Sequence, residues 1–206
     1  MLNYRPIKGQ LVARFFHPLV FALPISLLLA ACAQPVPEHL DISPQVQVEN
    51  SDISLAQTIA YQTQDLRSHR YIISVHQGEQ ELAQLVNLEH SLRSDIDQNM
   101  RAALQQYQIE FSEQSEIYLQ LDILELSAKV KQHSLTHTVK SDMRIKVSVK
   151  TPKQTLAKQY QNSFEREGSM QVDLNKVESE MGQQLSTLLN RVVNDPEILK
   201  LLETQS

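Results

Sequence analysis

Ile117-Tyr118-Leu119-Gln120-Leu121-Asp122-Ile123 sets an apolar residue at every second position. That period gives a strand with one face for a core and one for water. The pattern continues towards Val130. Val139, Met143, Ile145, Val147 and Val149 repeat it, and Leu156, Tyr160 and Phe164 carry a weaker third run over Gln154–Arg166. The links near Gln132–Ser134 and Thr151–Lys153 are short, so neighbouring strands are expected to pair antiparallel as a three-strand meander. One apolar face per strand predicts a sheet covered on one side.

Upstream, Leu55, Ile59 and Tyr61 share one parity, and Tyr71-Ile72-Ile73-Ser74-Val75 is a β-branched run. The polar break Asp65-Leu66-Arg67-Ser68 between them predicts a hairpin. Leu88, Leu92, Ile96, Met100, Ala103, Leu104 and Tyr107 then recur at helical spacing. They predict one amphipathic helix over Leu88–Gln106 with Asn87 as its N-cap; Leu82 and Leu85 fit the same period and would lengthen it. Ile109 and Phe111 return the chain to a short strand. Asp173 opens a second long helix with Leu174, Val177, Met181, Leu185, Leu188, Leu189 and Val192 on its apolar face. Gly182 inside it would permit close packing. Asp195-Pro196 reads as the N-cap and first residue of a short terminal helix. The expected fold is α+β: a largely antiparallel sheet with a three-strand meander, covered on one face by two amphipathic helices.

The first 31 residues have a different character. Arg5, Lys8 and Arg14 precede the run Phe15–Ala31, which His17, Pro18 and Pro24 interrupt. A basic leader, a short apolar core and the small pair Ala30-Ala31 form a secretory signal. A spanning helix needs a longer unbroken run of about 20 residues. Cys32, the only cysteine, follows directly. Leu29-Ala30-Ala31-Cys32 resembles the lipobox of bacterial lipoproteins. The resemblance implies cleavage between Ala31 and Cys32, a diacylglyceryl thioether on Cys32 and acylation of the new amino terminus. Ala33, rather than Asp, stands next to Cys32, which in such lipoproteins implies transport to the outer membrane, facing the periplasm. Several acyl chains hold far more firmly than one. Pro35, Pro37 and Pro44 stiffen the stretch that follows, while Leu40, Ile42, Val46 and Val48 alternate and could dock as an edge strand. The expected organisation is a signal peptide (1–31), a lipidated Cys with its tether (32–50) and one α+β domain (51–206).

Composition narrows function. The chain has 206 residues and a net charge of −5, and the leader carries Arg5, Lys8 and Arg14 but no Asp or Glu, so its loss leaves the rest more acidic and nothing favours nucleic acid. There is no Trp for base or sugar stacking. No nucleophile elbow, Gly-rich phosphate loop or zinc-protease motif occurs. His133 and His137 are four apart but lack further ligands, so they read as solvated hairpin residues and no metal is expected. Glu110, Glu113, Glu116, Asp122 and Glu125 fit a polar sheet face or loop better than a catalytic pair. Asp65 and Arg67 are the candidate partner contact, set against a local turn ion pair. Basic residues gather on the polar face between Lys129 and Lys150.

Taken in order, the signal, lipobox, Pro-containing tether, Ile42-Ser43-Pro44, Asp65-Leu66-Arg67 after the first strand, the central helix closed by Tyr107, the three-strand meander followed by Glu167-Gly168, and the C-terminal helix resemble the YajG family of bacterial lipoproteins. The resemblance implies an outer-membrane-associated periplasmic lipoprotein and supplies no catalytic residues. The expectation is a non-enzymatic, cofactor-free lipoprotein that contacts the membrane through Cys32 and binds an envelope protein or stabilises an envelope assembly. The alternative is a module that holds lipid or another small molecule, or assists its transport. An apolar cavity beneath the helices would favour the alternative; a packed core would favour the first.

Overall fold

The computed structural model describes residues 39–49 and 52–203. Cys32 and Ala31, with the leader and the first part of the tether, lie outside the described residues. Eight strands and three helices follow in the order β1 (His39–Leu40), β2 (Thr58–Asp65), β3 (Ile73–Gln77), β4 (Ala83–Leu88), α1 (Leu92–Gln106), β5 (Glu110–Phe111), β6 (Tyr118–Gln132), β7 (Thr136–Lys150), β8 (Thr155–Ser169), α2 (Leu174–Val193) and α3 (Pro196–Glu203).

The sheet corrects the expected fold class. Four of its seven strand pairings are parallel: β1 with β4, β2 with β5, and both β2 and β3 with β6. The result is a mixed, curled half-barrel, and not a largely antiparallel sheet with a three-strand meander. Short links do make β6–β7 and β7–β8 antiparallel. These strands are not a separate unit, however, because β6 is also the parallel partner of β2 and β3. A parallel pairing needs a long crossover, and the chain between β2 and β6, which contains α1, supplies it. The expectation treated α1 only as a cover for the sheet.

β2 and β3 do not form the expected hairpin. They lie end to end along the same edge of β6: Ala60–Asp65 beside Tyr118–Ile123, then Ile73–Gln77 beside Ala128–Gln132. Residues 66–72 leave the edge and return to it without reversing the chain. β3 instead turns back into β4. The expected early start of α1 therefore fails too. Residues 83–88 are strand, Leu82 and Leu85 are exposed, and the helix is capped by Ser91, whose hydroxyl accepts from the Ser94 N–H. The 82/85/88 spacing matches a helix only by coincidence.

Within β6 a register shift between Ile123 and Glu125 changes which parity faces inward. Leu119, Leu121 and Ile123 are buried before it; Leu126, Ala128 and Val130 after it. Side chains of the sheet and all three helices join in one continuous apolar cluster. Asp173 and Asp195 cap α2 and α3 as their sequence positions predict.

The stretch 39–49 binds to α2. The N–H groups of Asp41, Gln45, Gln47 and Glu49 donate to Glu178 Oε1, Ser186 Oγ, Asn190 Oδ1 and Asn194 Oδ1 at 2.8–3.0 Å. Two residues of extended chain advance about 6.5 Å and one helical turn about 5.4–6 Å, so the ladder stays nearly in step. The alternate residues Leu40 and Ile42 point into the core. Pro44 falls in that second register, where the ladder does not use an N–H. Asn194 makes four side-chain hydrogen bonds: Oδ1 accepts from Glu49 N–H and the Tyr107 hydroxyl, and Nδ2 donates to the carbonyls of Gln47 and Asn190.

Candidate functional site

The excursion of residues 66–72 opens a groove of about 680 Å³ on the sheet face away from the core. Its floor is β6 from Leu124 to Lys129. Arg67, His69 and Tyr71 form one wall, Ser74, His76 and Leu85 another, and Lys140, Asp142 and Arg144 of β7 complete it.

Asp65 ends β2, and Arg67 turns back onto it. The contact is bidentate, Nε to Oδ1 at 2.9 Å and Nη2 to Oδ2 at 2.8 Å, and the Arg67 N–H adds a third bond at 3.2 Å. Burial works against ionisation of Asp65, but the hydrogen bonds and charge of Arg67, with Arg70 nearby, outweigh it and hold the carboxyl below its usual range. The Arg67 side chain is only 7% exposed, and its Nη1 has no hydrogen-bond partner. The pair foreseen in the sequence is thus present, but Arg67 is a buried element of the groove and not a solvated turn residue. No sequence signal shows that burial; it follows from β2 and β3 sharing one edge.

On the floor, Glu125 pairs with Arg144, whose Nε is also buried without a partner. Lys129 and Lys140 stand directly opposite each other across β6 and β7. Like charges in that position repel. Glu165 is the next neighbour of Lys140, on β8. His69 stacks on Tyr71 with ring centroids 5.0 Å apart. The groove therefore offers cationic and donor groups in excess and suits a carboxylate or another anionic group.

The other sequence candidates do not converge. Asp122 is buried and accepts from Gln120 Nε2 at 2.7 Å, Glu125 is tied to Arg144, and Glu110, Glu113 and Glu116 are exposed. The two histidines separate. His133 is exposed, but His137 is 6% exposed, which corrects its place among solvated hairpin residues. Its Nδ1 faces the Met170 carbonyl at 3.1 Å, and its Nε2 meets Arg166 Nη1 at 3.2 Å. Arg166 Nε reaches Glu180 of α2 at 2.8 Å, so this cluster clips β8 to α2. Its one legible sign was Gly168, opposite His137, where a Cβ would lie 2.5 Å from the imidazole. Among the described residues no group of three or more His, Cys, Asp or Glu is placed to hold a metal. No helix among them is long and apolar enough to cross a membrane.

A second polar cluster joins β8 to α3. Tyr160 and Lys158 both donate to Asp195 Oδ2 at 2.7 Å. Burial opposes the Asp195 charge, but Lys158, Tyr160 and the N–H groups of Ile198 and Glu197 keep its carboxyl below the ordinary range. Burial and the Asp195 carboxylate push the Tyr160 phenol far up. Every member has a partner within the fold, so this cluster is structural.

Comparison with known proteins adds the family. Among solved structures, a Xanthomonas campestris protein assigned to a domain family of unknown function aligns over 84% of this chain and 100% of its own, with 12% identity and a TM-score of 0.53. The likeness is one of fold. A minor lipoprotein from Acinetobacter baumannii aligns over 71% of this chain and 94% of its own at 14% identity and a TM-score of 0.27. No curated protein sequence matches. The family model described as "Uncharacterized lipoprotein" matches residues 44–203, so the groove, all three helices and the strap from Pro44 onward fall within it. The chain belongs to this YajG-type family of uncharacterised lipoproteins.

Proposed function

We propose that the protein is an outer-membrane lipoprotein, anchored through lipid on Cys32 and facing the periplasm. Its domain is not an enzyme; it binds an acidic segment of another envelope protein in the β2–β3 groove. The observation that carries this reading is the groove itself, where Lys129 opposes Lys140 and the wall residue Arg67 keeps Nη1 without a partner. An anionic side chain would relieve the lysine repulsion and give donors an acceptor. Two carboxylates at the groove, Asp65 and Glu125, are each tied to an arginine, which weighs against a general acid–base pair there. The alternative, a lipid held between helices and sheet, draws no support from an interior filled by one continuous apolar cluster.

The test is a photo-crosslinking residue at Ser74, in the groove wall, in intact envelopes. A discrete protein adduct is expected, identifiable by mass spectrometry. Paired Lys129→Glu and Lys140→Glu substitutions, on the solvent-facing side of the sheet, are expected to abolish the adduct while leaving the circular dichroism spectrum unchanged. An adduct that survives both charge reversals, or its absence in wild-type envelopes where a neighbouring control protein crosslinks, contradicts the reading.

A further inference from the structure

We propose that one end of the domain, made of three loop tips, seats in the headgroup region of a zwitterionic phospholipid bilayer. The proposal rests on the Cys32 anchor and adds the surface that meets the lipid.

The tips are the β3–β4 turn, the β6–β7 turn and the link from β8 to α2. Gln132, at the end of β6, ties them together. Its carbonyl accepts from Gly78 N–H at 2.7 Å, and its Nε2 donates to the carbonyls of His133, Thr136 and Met170. Its Oε1 accepts from Val172 N–H at 2.9 Å, and Met170 N–H donates to the Leu135 carbonyl at 2.8 Å. Each tip displays one large apolar side chain: Leu82, 87% exposed; Leu135, 73%; Met170, 69%. These exceed the exposure of Leu66, Leu85 and Tyr118, which lie elsewhere on the fold. Met170 also holds a left-handed backbone, φ 67°, which is uncommon for a non-glycine residue. Three apolar tips gathered at one end of the fold form the kind of patch that contacts a partner or a membrane.

The chain before His39 selects the membrane. β1 runs parallel to β4, with His39 beside Asn87, so it heads away from the end that carries Leu82. The same direction appears on α2, which starts just after Val172 and meets the strap first through Glu178. Six residues lie between Cys32 and His39, and extended chain covers at most about 3.6 Å per step, roughly 25 Å over the seven steps. Leu82 lies five residues from Asn87 along β4, about 17 Å, within that reach. Ile73 pairs with both Val86 and Ala128, which sets Asn87 about nine residues, roughly 30 Å, from the Tyr118 end. A lipid on Cys32 can thus bring the tip end to the bilayer surface but not the Tyr118 end.

Charge selects the lipid. Glu79 and Glu81 precede Leu82, and Glu167 and Asp173 stand near Met170, against Lys131, His133 and Lys176. An acidic rim disfavours anionic headgroups, so contact is apolar and with zwitterionic lipid.

The absence of Trp makes single-Trp variants clean probes. Full-length acylated protein carrying Leu135→Trp, Met170→Trp or Tyr118→Trp is reconstituted into phosphatidylcholine–phosphatidylethanolamine vesicles with brominated acyl chains. Leu135→Trp and Met170→Trp are expected to lose emission to the bromolipid and to become shielded from acrylamide, with no change in high salt. Tyr118→Trp is expected to stay unquenched by lipid. Equal acrylamide access at Leu135→Trp with and without vesicles overturns the proposal, as does lipid quenching at Tyr118→Trp. The intact mass of the same preparation separates the two claims. An acylated protein with an unquenched tip refutes the tip alone; a protein without acyl chains refutes the anchor and the tip proposal that depends on it.

Discussion

Asn194→Ala is expected to lower the stability of the folded chain by about 3 kcal/mol, because it strips four hydrogen bonds at once and leaves the Tyr107 hydroxyl in the core without an acceptor. In a domain of this size that corresponds to a fall in Tm of roughly 6–12 °C. Tyr107→Phe removes one of the four bonds and should cost about 1 kcal/mol. Asn194→Asp keeps the two acceptor contacts but turns a carboxylate oxygen towards the Gln47 and Asn190 carbonyls, so it should be no milder than Ala. Urea unfolding followed by circular dichroism reads all three. An Asn194→Ala protein within about 0.5 kcal/mol of wild type would show that the four Asn194 contacts add nothing to the fold.

Gly168→Ala should cost about 2–3 kcal/mol, near the upper end for overpacking. The added Cβ would lie 2.5 Å from Cε1 and Nε2 of His137. That ring has little freedom to yield, being buried between the Met170 carbonyl and Arg166. The diagnostic is the double variant. His137→Ala removes the clash, so Gly168→Ala made on that background should cost much less than on wild type. Strict additivity of the two changes would mean that the glycine is not there for the imidazole.

These two sites mark what the sequence shows and what it hides. The long strands were legible because their alternation reports burial directly, and α2 and α3 because Asp173 and Asp195 carry capping chemistry. Strand direction was not legible. The polar break at Asp65–Ser68 has the composition of a turn, whether the chain reverses or, as here, steps aside and continues along β6. The helical spacing of Leu82, Leu85 and Leu88 was misleading because two of the three residues face solvent. On α2, Glu178, Ser186, Asn190 and Asn194 look like a hydrated face, since their backbone partners lie far earlier in the chain, between Asp41 and Glu49. The groove was half visible. Asp65, Arg67 and the basic run from Lys129 were identifiable, but their convergence depends on the parallel pairing of β3 with β6, which local patterns do not encode.

The strap has a consequence for the anchor. With the chain fixed on the domain from His39 onward, only a few residues separate Cys32 from the fold, so a lipid there would hold the domain at the membrane surface and not at the end of a long tether. Intact-mass analysis of the protein extracted from envelopes, beside Cys32→Ser, tests this most directly. The account predicts that the wild-type chain begins at Cys32 and carries a diacylglyceryl group with an acylated amino terminus, and that Cys32→Ser carries no lipid and leaves the membrane fraction. A wild-type chain with an unmodified Cys32 thiol, or with the leader still attached, would contradict it.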